Sequence, residues 1–523
     1  MMLGAYSPLT RAGRTKYFSG KRGLLLDCEP SLAIFFRPSL ALVRNESQGG
    51  FIMRSVTRHA SWGNRGFQRI VDAFLAGDGL PFANVLSAER IQRTFAGQDN
   101  LFGMNTVYST PVVLWAFLAQ SLRDGKGASC QAGVAGIAAW RLQNGLTPPT
   151  ADTGDYCRAR AKLSESALRQ LAVETAEDLQ GQAQPGWLWK GRHAKLVDGF
   201  TFTMPDTTAN QSEYPQVPTQ KEGVGFPIAR ACAILSLATA CLMDLAIAPY
   251  SGKETGETAL LRQLLDSLNE GDVLVADRFY CSFMMLALLL GQGVDACVRM
   301  HQCRHVDFRR GRRLGKYDHL IEWHKPQRPP WMNEATYAAV PEVLVLREIR
   351  FQITEPGRRV RSLTLVTTLV DPDEYSKEEI AELYGFRWNS ELDIRSIKQT
   401  LGLDHVRCKS PAMVRKELWT TLLAYNLIRT TSAAAALLHG KQPRQISFTG
   451  TCQHVLSTWM LFSSGVCSDA ALLCRRMLEL IASCEVANRP GRIEPRVLKR
   501  RRHRYPLMQQ PRAILKAKLT KHN

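Results

Sequence analysis

Asp198 stands inside the apolar run Lys-Leu-Val-Asp-Gly-Phe-Thr-Phe, and Asp277 closes another, Val-Leu-Val-Ala-Asp. A carboxylate in such surroundings is expensive unless it is paired, hydrogen-bonded or bound to a cation. A third acid, Glu391, lies in the stretch Ala381–Gly402, where Tyr384, Arg387, Glu391 and Lys398 follow the spacing Y-x2-R-x3-E-x6-K. On a helix turning about 100° per residue these four fall within roughly 60° of one another. Arg395 shares their stripe, Trp388 sits at its edge, and Phe386 and Ile397 face the other way, suited to packing. Three hard oxygen donors with no His or Cys beside them suit Mg2+ or Mn2+. Two such ions roughly 4 Å apart can activate an attacking oxygen and stabilise the leaving one on a phosphodiester. The cations around Glu391 would then hold the backbone being cut. Each feature also has a plainer reading, a carboxylate capping a turn at a strand end or a solvated helix face laced with ion pairs. The functional reading gains because the acids and the cations complete one another's chemistry.

Positioning these groups requires particular elements. Apolar runs at 194–204, 225–239, 241–250, 271–280 and 294–300 read as strands, with helices at about 254–268 and 282–291. Three strands, a helix, a strand, a helix and a further strand fit an α/β, ribonuclease H-like catalytic core, a mixed sheet flanked by helices. Residues 301–372 interrupt the alternation with Arg309–Arg313, a proline-rich span and two strand-like runs, and read as a β-rich insertion. The stretch carrying Glu391 follows as one helix, then helices at 411–438 and 446–487. Upstream, 111–122, 132–145 and 164–180 read as helices of an N-terminal domain spanning 61–185, joined by a turn-rich segment with Arg158, Arg160 and Lys162. Those cations make DNA contact plausible without being specific. The core domain spans 190–488. Asp206, Asp244, Asp272 and Asp393 read as turn or surface acids.

The totals narrow the partners. Lys and Arg outnumber Asp and Glu by 67 to 47, a formal charge of +20 that favours a polyanion. No run of about 18 apolar residues occurs, so a membrane-spanning helix is not expected. Thirteen cysteines without a CxxC pair argue for reduced thiols in a cytosolic compartment. His301, Cys303 and His305 imitate a metal site, but no second ligand cluster follows at zinc spacing. Residues 1–60 read as an extension without fixed structure. The tail 489–523 carries twelve Lys or Arg against one Glu and reads as a mobile, phosphate-binding segment.

The Asp198 strand, the Asp277 strand ending Ala-Asp-Arg and the complete Y-x2-R-x3-E-x6-K spacing resemble the DDE transposases of bacterial insertion sequences, and within them the insertion-sequence-four family. The resemblance covers about Ser109 to Arg512. It implies Asp198, Asp277 and Glu391 as the catalytic, metal-binding triad, and Tyr384, Arg387 and Lys398 as contacts to DNA at the element's end. It also implies a β-strand insertion between the second Asp and the Glu. The implied reaction is nicking at the ends, then attack of the freed 3′-hydroxyls on target DNA, with Mg2+ or Mn2+ as cofactor. Two ends brought together imply double-stranded DNA as partner, a homodimer on it, and a cytoplasmic, nucleoid-associated location. The alternatives are a ribonuclease H-like nuclease that cuts without joining, and an inactive descendant that binds DNA as a repressor.

Overall fold

The computed structural model describes residues 85–96, 107–352, 362–463, 469–487 and 506–521. The N-terminal extension expected over 1–60, much of 61–106 and the Leu498–Arg504 cluster of the basic tail lie outside the described residues.

Among the described residues nine strands form one sheet. In chain order they are β1 Ala194–Thr203, β2 Ile228–Ser236, β3 Leu242–Pro249, β4 Val273–Ala276, β5 Asp295–Arg299, β6 Arg312–Gly315, β7 Asp318–His324, β8 Val343–Gln352 and β9 Ser362–Thr367. Their order across the sheet is β3-β2-β1-β4-β5-β9-β8-β7-β6. β1 pairs antiparallel with β2 and parallel with β4, and β4 pairs parallel with β5. All four residues of β4 are buried, as an uninterrupted apolar run in a central parallel strand should be. Helix Phe283–Gly291 makes the crossover from β4 to β5. The strands of residues 301–372, the segment read as a β-rich insertion, continue the sheet, β9 pairing antiparallel with β5 and covering what would be an open edge.

Helix Pro411–Leu438 binds the layers together. Asn426, fully buried on it, accepts from Leu242 N and donates to Leu242 O and Ala172 O, each at 2.9 Å, and so joins β3 to helix Glu165–Gly181. One apolar core holds Trp115 and Leu168 from the upstream helices, Leu196 from β1, Ile397 beside Glu391's helix, and Leu422. The upstream helices therefore share their core with the sheet. The segment 147–163 contains a helix, Gly154–Lys162, and residues 446–487 form two helices, Phe448–Ser463 and Ala470–Ser483. Part of the tail read as mobile is the helix Arg512–Lys521.

The continuous helix expected over 381–402 is three pieces: Lys377–Gly385, Trp388–Arg395 and a π-helical turn Ser396–Thr400. A break and a change of pitch spoil a constant 100° per residue, so one face cannot carry all four signature residues.

Three acids expected at turns or on the surface are buried instead. Asp244 is held bidentate by Arg169 and takes Ser267 Oγ at 2.7 Å. Asp272 lies 3.8 Å from the buried Lys195 Nζ and accepts from Asn269 N at 3.0 Å. Asp393, 1% exposed, accepts from Arg429 Nη2 and Arg444 Nη2, both at 2.8 Å. Arg444 Nη2 also donates to Ser236 O at 2.7 Å, at the end of β2. Asp393 thus clamps the helix that carries Glu391 to the sheet. Only Asp206, which accepts from Gln211 Nε2, behaves as read. Asp393→Ala would leave two arginines without their carboxylate, and chemical denaturation should show a loss of about 3 kcal/mol or more.

Candidate active site

Register brings the first two acids together. In the parallel pairing of β1 with β4, Val197 lies opposite Ala276, so the next residues along each strand, Asp198 and Asp277, emerge side by side. Asp277 stands where β4 ends and a 3-10 turn, Arg278–Tyr280, begins. Helix Trp388–Arg395 packs on β1 and presents the third acid. A cleft of about 410 Å³ is lined by Asp198, Asp277 and Glu391 together with Arg387, Arg395 and Lys398.

Arg387 knits two of the acids. Its Nη1 lies 3.5 Å from Asp198 Oδ2 and its Nη2 lies 2.7 Å from Glu391 Oε1. Ser390 Oγ and Gly199 N also donate to Asp198, each at 2.9 Å. Burial pushes the Asp198 carboxyl above its ordinary pKa; the hydrogen bond from Ser390, the Arg387 charge and the Gly199 N–H oppose that rise, and Glu391 adds to it. Lys398, on the π turn, pairs with Asp404 at 2.8 Å, also in the cleft wall. Tyr384 is placed differently from the other signature residues. It is 8% exposed and belongs to the apolar core, where burial raises its pKa. The charges of Arg387 and Asp277 act on its hydroxyl, so it sits beside the cleft residues without lining the cleft.

Two residues of this site were not singled out by sequence. Ser390 is fully buried, one position before Glu391. Glu257, in the first turn of helix Glu257–Arg262, lies against Gly199: a Cβ at 199 would stand 2.2 Å from Glu257 Cδ. Its carboxyl is raised by burial and then by Asp198, with Asp277 contributing. A missing side chain at 199 is the only local signal that something approaches β1 there.

Hard oxygen donors suit a divalent cation, and the acids of this cleft supply them. Among the described residues no three His, Cys, Asp or Glu side chains are grouped closely enough to hold an ion, His301, Cys303 and His305 included. At the cleft the Arg387 guanidinium sits on two of the three carboxylates. The donor type suits a hard cation, while the spacing of the three acids does not bring them together on one ion.

The folded chain holds the Asp198 proton more tightly than the unfolded chain. Its contribution to stability is therefore full below the unfolded value, about 4, and is lost as pH rises through the folded one. Ionised Asp198 is a cost at neutral pH. Asp198→Asn should melt at a higher temperature than the parent at pH 7, and the gap should shrink below about pH 4.

Residues 189–427, which contain all three acids, match the family described as Transposase DDE domain. Over 354 residues, 67% of this chain and 77% of the relative, the sequence is 27% identical to transposase InsG for insertion sequence element IS4 of Escherichia coli strain K12. A shorter stretch of 64 residues, 12% of this chain and 17% of the relative, is 39% identical to the transposase for insertion sequence element IS421 of Escherichia coli. Among solved structures, a piggyBac transposase synaptic complex with hairpin DNA gives a TM-score of 0.39 at 8% identity, covering 79% of this chain and 85% of that one. The long match to the IS4 relative and the family match across the whole acid-bearing span agree, and together they support a DDE transposase of the insertion-sequence-four kind.

Proposed function

We propose that this transposase binds the ends of its own insertion sequence, nicks them, and joins the freed 3′-hydroxyls to target DNA at the Asp198, Asp277 and Glu391 cleft. The observation that supports this most is the convergence on one cleft of three acids from two neighbouring parallel strands and a distant helix, ringed by Arg387, Arg395 and Lys398. The strand order β3-β2-β1-β4-β5, antiparallel on one side of β1 and parallel on the other, supports reading the core as ribonuclease H-like.

Asp198, Asp277 and Glu391 would hold Mg2+ or Mn2+, two ions in the family's manner. Bound there, the metal supplies charge stabilisation for the attacking and leaving oxygens of phosphoryl transfer. The chain's own groups do the rest. In the nick, water attacks phosphorus and the P–O bond to the 3′ oxygen breaks; in joining, that 3′-hydroxyl attacks a target phosphorus and another 3′ oxygen leaves. Arg387 and Lys398 would grip the non-bridging oxygens of the strand. Asp393 holds Glu391's helix in place, and Ser390 orients Asp198. Tyr384, buried behind Arg387, would support that arginine rather than touch DNA. The helical region 61–185 and the basic tail 489–523 would add phosphate contacts, and synapsis of two ends would be made by a homodimer. No described helix is long and apolar enough to cross a membrane, and we place the protein in the cytoplasm, on the nucleoid.

The geometry gives Arg387 two jobs that compete. In the DNA-free chain it occupies carboxylate oxygens that a metal needs; on DNA a phosphate can draw it away. Arg387→Gln should therefore bind Mn2+ more tightly than the parent in the absence of DNA, by roughly tenfold, because a unit charge a few ångströms from the ion is removed. Titration calorimetry would show it, and weaker binding to end DNA should accompany it.

A labelled duplex bearing the element's end, with Mg2+ or Mn2+, tests the reaction itself. Glu391→Gln keeps the size of the side chain but loses the charge that holds a divalent ion. It should bind the duplex at least as well as the parent and yield neither nicks nor joined strands. Cleavage at parental rates would remove Glu391 from the site. Parental nicking without any joined product would instead make the protein a nuclease, and end binding without nicking would make it a repressor.

A further inference from the structure

Away from the acid cleft, the structure half-buries a cation that has no carboxylate partner among the described residues. Arg160, on helix Gly154–Lys162, lies against a cavity of about 130 Å³. Its Nε is buried without a hydrogen-bond partner. Its Nη atoms find only Gln120 Oε1 at 3.5 Å and Cys408 Sγ at 3.9 Å, both long. The guanidinium sits 4.6 Å over the Phe117 ring, which holds it in place without neutralising it. Other buried arginines here are treated differently: Arg347 has Asp318 and Arg429 has Asp393. A charge taken out of water without a counter-charge is costly. A fold that keeps one keeps it for something that arrives later.

The walls of the cavity suit an anion. Ser129 and Cys130 line it, the cap and first residue of the 14-residue helix Cys130–Gln143, whose first N–H groups lack helical acceptors. Arg407, exposed, lines it as well and donates from Nη1 to Ala128 O at 3.5 Å. One acid shares the wall, Glu417, but its oxygens accept the backbone N–H groups of Arg407 and Cys408 at 2.8–3.0 Å. It is engaged there and forms no ion pair with Arg160.

We propose that this cavity is a second phosphate-binding site, lying outside the acid cleft, and that the phosphate it takes belongs to the DNA backbone. The loop between the two sites favours that source over a free ion. Residues 401–403 line the cavity, while Lys398, Gln399 and Asp404, on either side of them, line the acid cleft. A strand gripped in the cleft passes along the same loop whose other side carries Arg160 and Arg407. The proposal rests on DNA as the partner, not on which acids are catalytic. Arg160 also gives a specific use to the basic segment Arg158–Lys162.

The test uses the full chain with Arg160→Gln, Arg160→Lys and the exposed Arg407→Gln. Melting is compared in sodium phosphate and in sodium chloride at equal pH and ionic strength. The parent and Arg160→Lys should gain melting temperature in phosphate, and Arg160→Gln should lose that gain; a general salting effect of phosphate would persist in all of them. In chloride, Arg160→Gln should melt no lower than the parent, since it removes a half-buried charge that has no carboxylate partner. A clear drop there, with no phosphate effect on the parent, would make Arg160 a packing residue and overturn the site. Salt titrations of duplex binding then decide the source. Losing one phosphate contact should reduce the magnitude of the log–log slope by about 0.9 for Arg160→Gln, with a reduction in the same direction for Arg407→Gln. An unchanged slope, with the phosphate effect on melting present, would refute the DNA backbone as the source and leave a free-anion site.

Discussion

Crowding three carboxylates beside the end of a buried parallel strand pair is the constraint that the rest of this structure answers. The register of β1 on β4 fixes Asp198 next to Asp277, and burial then penalises the charge on Asp198. What makes the arrangement tolerable is Arg387, bridging Asp198 and Glu391. A guanidinium does in the DNA-free chain what a divalent ion would do in the working enzyme: it places positive charge between oxygens that would otherwise repel. In the proposed reaction a metal would need the lone pairs that Arg387 now takes.

Such a bridge works only if the helix carrying Glu391 cannot drift. Two devices fix it. Asp393, two residues on, is locked by Arg429 from helix Pro411–Leu438 and by Arg444, which in turn holds the end of β2. Ser390 donates to Asp198 from the same helix. Glu391 is thus positioned by neighbours pointing inward while it points into the cleft. The π turn that follows resets the phase so that Ile397 is fully buried and Lys398 still lines the cleft.

Positive charge is distributed by use. Arginines that hold elements together, such as Arg347 and Arg429, are buried with aspartates. Arginines near the proposed DNA path are either shared with the cleft acids, as Arg387 is, or left without a carboxylate, as Arg160 is. The excess of +20 over the chain therefore includes cations whose counter-charge comes from outside the fold.

Sequence by itself determined the acids and most of the elements. Asp198 and Asp277 were legible because a carboxylate inside a short apolar run is a local anomaly, and β1 to β5 were legible because burial imposes hydrophobic continuity on neighbours in the chain. Tertiary structure decided what depends on distant partners. That Tyr384 is buried while Arg387 lines the cleft depends on core partners from elsewhere in the chain. That Asp244, Asp272 and Asp393 are buried follows from an arginine and a lysine 75 and 77 residues away for the first two, and from arginines 36 and 51 residues away for the third. That 301–372 extends the sheet follows from β9 finding β5, a pairing between segments more than 60 residues apart. Side-chain identity and local periodicity carry propensity; which charge meets which, and which strand meets which edge, is settled only when the chain has closed on itself.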